Sequence, residues 1–118
     1  MARISKYDQL VDALIKARVP KNVAKCLAYI IINGEAKSMD IERGTGLRQP
    51  EVSIAMRYLR DKGWVKKRDI KKEGKGRPVH AYSLASSVED FIKNIEREEE
   101  RRIRDIKANI DKIKRLVL

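Results

Sequence analysis

The stretch Pro50-Glu51-Val52-Ser53-Ile54-Ala55-Met56-Arg57-Tyr58-Leu59-Arg60-Asp61-Lys62, closed by Gly63 and followed at once by Trp64-Val65-Lys66-Lys67-Arg68, decides the fold. Val52, Met56 and Leu59, with Ala55 alongside, recur at helical spacing and predict one buried stripe. Proline suits the first turn of a helix and glycine the position just past its end, so the helix is expected from Pro50 to Lys62. Its other face offers Gln49, Pro50, Ser53, Ile54 and Arg57, with Arg60 further along. Beyond Gly63 the pattern turns extended, β-branched and aromatic, as a strand requires.

Outward from this stretch, Tyr7, Leu10, Val11, Leu14 and Ile15 predict an amphipathic helix over roughly residues 6–18. Pro20 and Gly34 bracket a second helix whose inward side is Val23, Leu27, Ile30 and Ile31. Ser38 is placed to cap a short third helix that stops at Gly44 and Gly46. Downstream, Val79 to Leu84 reads as a second strand, and Asp69 to Pro78, with Gly74 and Gly76, as the hairpin tip between the strands. Ser86 or Ser87 then opens a long final helix, with Glu89 and Asp90 favourable in its first turn. Within it Ile103, Ile106, Ile110, Ile113 and Val117 are spaced three, four, three and four apart, an a/d seam of about two heptads. Such a stripe on an isolated helix needs a partner, and a second copy of the chain is the simplest.

Helix, helix, short helix, turn, helix, strand, basic hairpin, strand is the order of a winged helix-turn-helix with one extra helix in front. The expected fold class is therefore mainly α with a small β-hairpin. A winged-helix domain at residues 1–85 is followed by a coiled-coil-like dimerisation segment at residues 86–118. In that fold the last helix of the trihelical unit enters the DNA major groove and the hairpin touches the backbone or minor groove beside it. The residue types fit: Gln49 suits adenine, Arg57 suits a bidentate contact to guanine, and Ile54 suits a thymine methyl.

The chain of 118 residues carries 28 Lys plus Arg against 17 Asp plus Glu, a net charge of +11. The charge is localised. From Lys66 to Arg77 stand seven basic residues (Lys66, Lys67, Arg68, Lys71, Lys72, Lys75 and Arg77) against Asp69 and Glu73. Such a concentration is costly unless phosphates offset it, and each phosphate contact releases condensed counterions. Residues 86–118 by contrast hold 9 basic and 8 acidic side chains. A membrane-binding protein would instead place its charge on an amphipathic helix with a bulky apolar face.

Gly44-Thr45-Gly46-Leu47-Arg48-Gln49-Pro50-Glu51-Val52-Ser53, followed by Tyr58-Leu59-Arg60-Asp61-Lys62-Gly63-Trp64-Val65, resembles the turn, recognition helix and exit of archaeal and bacterial winged-helix regulators. Gly76-Arg77-Pro78 leading into Tyr82-Ser83-Leu84 is similar to the wing of the MarR- and TrmB-type groups. Arg48 departs from the pattern, which more often has Ser or Thr at the helix cap. The resemblance covers roughly residues 7–95. It implies a DNA-binding transcriptional regulator, usually a homodimer on a pseudo-palindromic site. Arg48 to Arg57 would be its reading segment and Lys71 to Arg77 its wing tip. A nucleoid-associated protein with little sequence preference and a protein-interaction module are the rival readings of the same fold.

Other classes fall away. One cysteine, Cys26, excludes an internal disulfide framework and reads as a buried thiol. His80, the sole histidine, has no second histidine or paired cysteine with which to build a zinc site or a catalytic triad. The glycines form no phosphate-binding loop, and the acidic run Glu96 to Glu100 is expected to pair with arginines, as in Glu98–Arg102 and Glu100–Arg104. The longest purely apolar run, Cys26 to Ile32, is seven residues, too short to span a bilayer, and no signal peptide is visible. The expectation is a cytoplasmic, nucleoid-associated protein without enzymatic activity, metal or cofactor. The scarcity of glutamine beside abundant Lys, Glu and Ile is compatible with a thermophilic, archaeal source.

Overall fold

The computed structural model describes residues 5–70 and 79–118. Contacts divide the chain into two compact units, Met1–Val88 and Glu89–Leu118.

In the first unit, α1 (Lys6–Lys16), α2 (Lys21–Asn33), α3 (Ser38–Thr45) and α4 (Gln49–Asp61) surround one apolar core. Beside them lies a three-stranded antiparallel sheet of β1 (Ala36–Lys37), β2 (Val65–Ile70) and β3 (Val79–Leu84), in the order β1-β3-β2. The sheet therefore has one strand more than the expected hairpin. β1 is only two residues long and is defined by its pairing, Ala36 with Tyr82 and Lys37 with Ala81. β2 and β3 run in register from Val65–Leu84 to Ile70–Val79.

The core is aliphatic: Leu27, Ile30, Ile41, Val52, Met56 and Leu59 are fully buried. The inward set expected on α4 is all there, with Ala55 beside it. On α2 the stripe is broader than expected: Ala24, Cys26 and Ala28 are also buried, while Ile31 is only half-buried. A helix covered by both α1 and α4 must hide more than one narrow face. Burial pushes the Cys26 thiol up to about 12, so it stays protonated and unreactive.

Helix ends follow local chemistry. α3 begins one residue earlier than expected, because the Asp40 carboxylate accepts the Lys37 N–H (3.2 Å), making Lys37 the cap and Ser38 the first helical residue. Gly44 does not stop α3 but lies within it. A Cβ there would overlap the Tyr29 ring, so the glycine is needed for close packing. The chain leaves α1 through Arg18 at φ +71°, the left-handed conformation in which Arg18 N–H reaches Ile15 O and Val19 N–H reaches Leu14 O.

The second unit is almost entirely α5 (Val88–Val117), a 30-residue helix. Glu89 and Asp90 open it and Lys114 and Arg115 close it, matching both ends of the helix dipole. No helix among the described residues is long and apolar enough to cross a membrane.

Candidate nucleic-acid interface

α4 is fixed at both ends by identifiable bonds. Arginine offers no acceptor at an N-cap, so Glu51 caps the helix alone: its Oε1 accepts the Arg48 N–H at 3.0 Å, and Oε2 accepts from Asn22 on α2 at 3.4 Å. At the other end Gly63 adopts φ +74° and donates to Arg60 O, while Trp64 N–H reaches Leu59 O. This paired closure turns the chain directly into β2 and sets the angle between helix and sheet. Trp64 and Val65 are buried at that junction.

With its inner face packed on α2 and α3, α4 presents Gln49, Pro50, Ser53, Ile54, Arg57 and Arg60 to solvent, as does its cap Arg48. The outer surface is not uniform. Pro50 and Arg57 lie along its crest, opposite the buried stripe, by the helical spacing. On one flank Gln49, Ser53 and Arg60 face Ser38, Lys67 and His80 across a cleft of about 300 Å³. On the other, Ile54 and Tyr58 border an apolar groove with Pro20 and Val23. Ile54 is 73% exposed, an isoleucine held in water at the edge of that groove.

The sheet adds cations. Lys66, Lys67 and Arg68 on β2 are all exposed. Arg68 also braces the sheet. Its Nε and Nη2 donate to both carboxylate oxygens of Glu35, at 3.0 and 2.6 Å, tying β2 to the residue before β1. The hydrogen bond and charge of Arg68 hold the Glu35 carboxyl below its ordinary range and raise the guanidinium in turn. Directly opposite one another in the ladder, Asp69 and His80 join through Oδ1 and Nδ1 at 2.7 Å. Lys71, Lys72, Lys75 and Arg77, the expected tip of the hairpin, lie outside the described residues.

Helix order, a helix α4 that closes directly into a strand, and the paired β2 and β3 beside it decide the architecture. The fold is a winged helix. Solved structures agree. The chain is similar to TrmBL2, an archaeal chromatin protein, at 17% identity and a TM-score of 0.67, over 95% of this chain and 40% of that one. It is similar to a transcriptional regulator at 14% identity and TM-score 0.56, over 94% of this chain and 72% of that one. A transcriptional regulator homologue from Pyrococcus horikoshii OT3 matches at 18% identity and TM-score 0.51, over 89% of this chain and 97% of that one. The chain thus spans less than half the length of TrmBL2. No family model and no curated protein matches the sequence.

Within the winged helix, two contributors are not visible in the sequence. Glu51 shows there only as an acidic residue in a first turn, and its bond to Asn22 spans 29 positions. Glu35 lies 33 positions from Arg68, with no local pattern to link them. Among the described residues no group of three or more His, Cys, Asp or Glu is placed to hold a metal ion.

α5 carries the other candidate surface. Ile103, Ile106, Ile110 and Ile113 are each close to half exposed, and Val117 more so. Arg102 pairs with Glu99, three residues back.

Proposed function

We propose that the chain is a sequence-specific double-stranded-DNA-binding transcriptional regulator, a repressor, acting as a homodimer. Residues 1–85 form the DNA-binding domain and residues 86–118 the dimerisation segment. α4 is the recognition helix: Gln49, Ser53, Ile54 and Arg57 meet base edges in the major groove, with Arg48, Pro50 and Arg60 at its borders. Lys66, Lys67 and Arg68, continued by Lys71, Lys72, Lys75 and Arg77, are the wing that meets phosphates, Arg68 while anchored on Glu35. Ile103, Ile106, Ile110, Ile113 and Val117 form the seam between two α5 helices. The protein works by binding, in the cytoplasm on the nucleoid, without cofactor or metal.

One observation carries the reading: a helix whose inner face is fully buried exposes Gln49, Ser53, Arg57 and Arg60 together, beside a strand carrying three exposed cations. Selection of bound fragments from genomic DNA, followed by footprinting, tests it. A discrete protected site is expected. Protection indifferent to sequence would contradict the regulator reading.

A second reading has its own support, since TrmBL2 is a chromatin protein. In that case the same surface coats DNA with little base preference. Substituting Gln49 and Arg57 separates the two: loss of one sequence's advantage marks a regulator, and a uniform loss marks coating.

A further inference from the structure

The cleft between α4 and the sheet has more structure than a DNA-facing edge requires. Its polar lining comes from four separate elements: Ser38 of α3, Gln49, Ser53 and Arg60 of α4, Lys67 of β2, and His80 and Tyr82 of β3. Ser38, Gln49, Ser53, Arg60 and Lys67 can each donate a hydrogen bond, and among the described residues no carboxylate lines the cleft. Among the described residues, neither Arg60 nor Lys67 has an ion-pair partner, whereas Lys16, Arg68 and Arg102 each do. Two unmatched cations across a concave site repel one another, and an anion between them relieves that repulsion. His80 bonds Asp69 through Nδ1, which fixes the ring at the edge of the cleft.

We propose that this cleft is a binding site for a phosphate group, with Arg60 and Lys67 supplying the charge and Gln49, Ser53 and Ser38 the directional donors. The cleft is open enough, at about 300 Å³, for a phosphate together with the sugar or other small group that bears it. Two sources share this chemistry: a phosphodiester of the DNA backbone, and a free phosphorylated small molecule. A free ligand would compete with DNA for Arg60 and Lys67, which makes the cleft an effector site. The backbone source and the competition rest on the DNA-binding reading; binding of the free phosphate does not.

The experiment is a titration of the amide resonances of the full chain with inorganic phosphate, compared with sodium chloride at equal ionic strength. Saturable shifts confined to residues around Ser38, Gln49, Ser53, Lys67 and His80 are expected. Arg60→Gln and Lys67→Gln, both exposed and remote from the core, should each weaken phosphate binding by about tenfold or more, the size of a lost charge-assisted hydrogen bond. Lys16→Gln, exposed on α1 and outside the cleft, should leave it unchanged. If phosphate also weakens DNA binding beyond the salt control, the free ligand is supported as a source. If a DNA duplex shifts these amides and phosphate does not, the cleft serves a backbone phosphate. Saturable phosphate binding in a protein that binds no DNA would keep the site and remove the DNA reading. Shifts scattered over many lysines, or unaltered by both glutamine variants, would overturn the proposal.

Discussion

Helix α4 buries its apolar residues and leaves Arg57 and Arg60 without carboxylate partners among the described residues, whereas α5 nearly balances its charges and leaves a row of isoleucines half exposed. Both are amphipathic, but what each leaves uncovered differs in kind. An unmatched cation surface lowers its free energy most by meeting a polyanion, and the gain is screened by salt. An uncovered apolar row gains most by meeting another apolar row, and salt does little to oppose it. The same chain thus carries one surface suited to nucleic acid and one suited to protein, and they can be broken separately.

The largest effect is expected on the α5 side. Replacing Ile106 and Ile110 together by Lys removes four isoleucines from a two-helix seam, each contributing about 1.5–3 kcal/mol when buried. Dimer affinity should fall by about 10⁴-fold or more, leaving a monomer by sedimentation equilibrium at micromolar concentration. A dimer surviving that pair of substitutions would rule out the seam. On the other side, Leu59→Ala opens a cavity in the winged-helix core and should cost about 2–5 kcal/mol. Trp64, the single tryptophan and itself buried, reports that loss by fluorescence in chemical denaturation. If the variant unfolds with wild-type stability, Leu59 does not hold α4 in place.

Smaller changes sharpen the picture. Arg18 occupies a left-handed conformation that costs a non-glycine residue about 1–2 kcal/mol, so Arg18→Gly should stabilise the first unit by about 1 kcal/mol. A lower melting temperature would contradict this. The smallest effect is expected at Glu35. Its carboxyl is depressed by Arg68, so the pair's stabilisation is present above the ordinary carboxylate range and is lost as pH falls through the lowered value. Glu35→Gln should therefore lower the melting temperature slightly at neutral pH, with wild type and variant converging in acid. A difference that persists in acid would mean that packing, not charge, ties β2 to the turn.

How much of this was legible follows from the range of the forces involved. α4 could be read to within one residue at each end, Gln49–Asp61 against an expected Pro50 to Lys62, with Val52, Met56 and Leu59 on its inner face as expected. β1 could not: two residues carry no periodicity, and Ala36 and Lys37 become a strand only because β3 lies alongside. The start of α3 was misplaced because Ser38 looks like a cap, while the acceptor in use is Asp40. Arg68 was legible as a cation, but its bidentate hold on Glu35 depends on the sheet edge. The cleft was invisible for the same reason, its lining being gathered from α3, α4, β2 and β3. Local chemistry reads well from one dimension; partners brought together by the fold do not.

The most direct test of sequence-specific binding through α4 measures wild type and Arg57→Ala on two duplexes, the best fragment from genomic selection and a shuffled version of it, at one physiological salt concentration. Wild type is expected to prefer the selected fragment by about 10³-fold or more, and Arg57→Ala to narrow this preference by about 1–3 kcal/mol while retaining binding to the shuffled duplex. Equal affinity of the wild-type protein for both duplexes would contradict that reading of the helix.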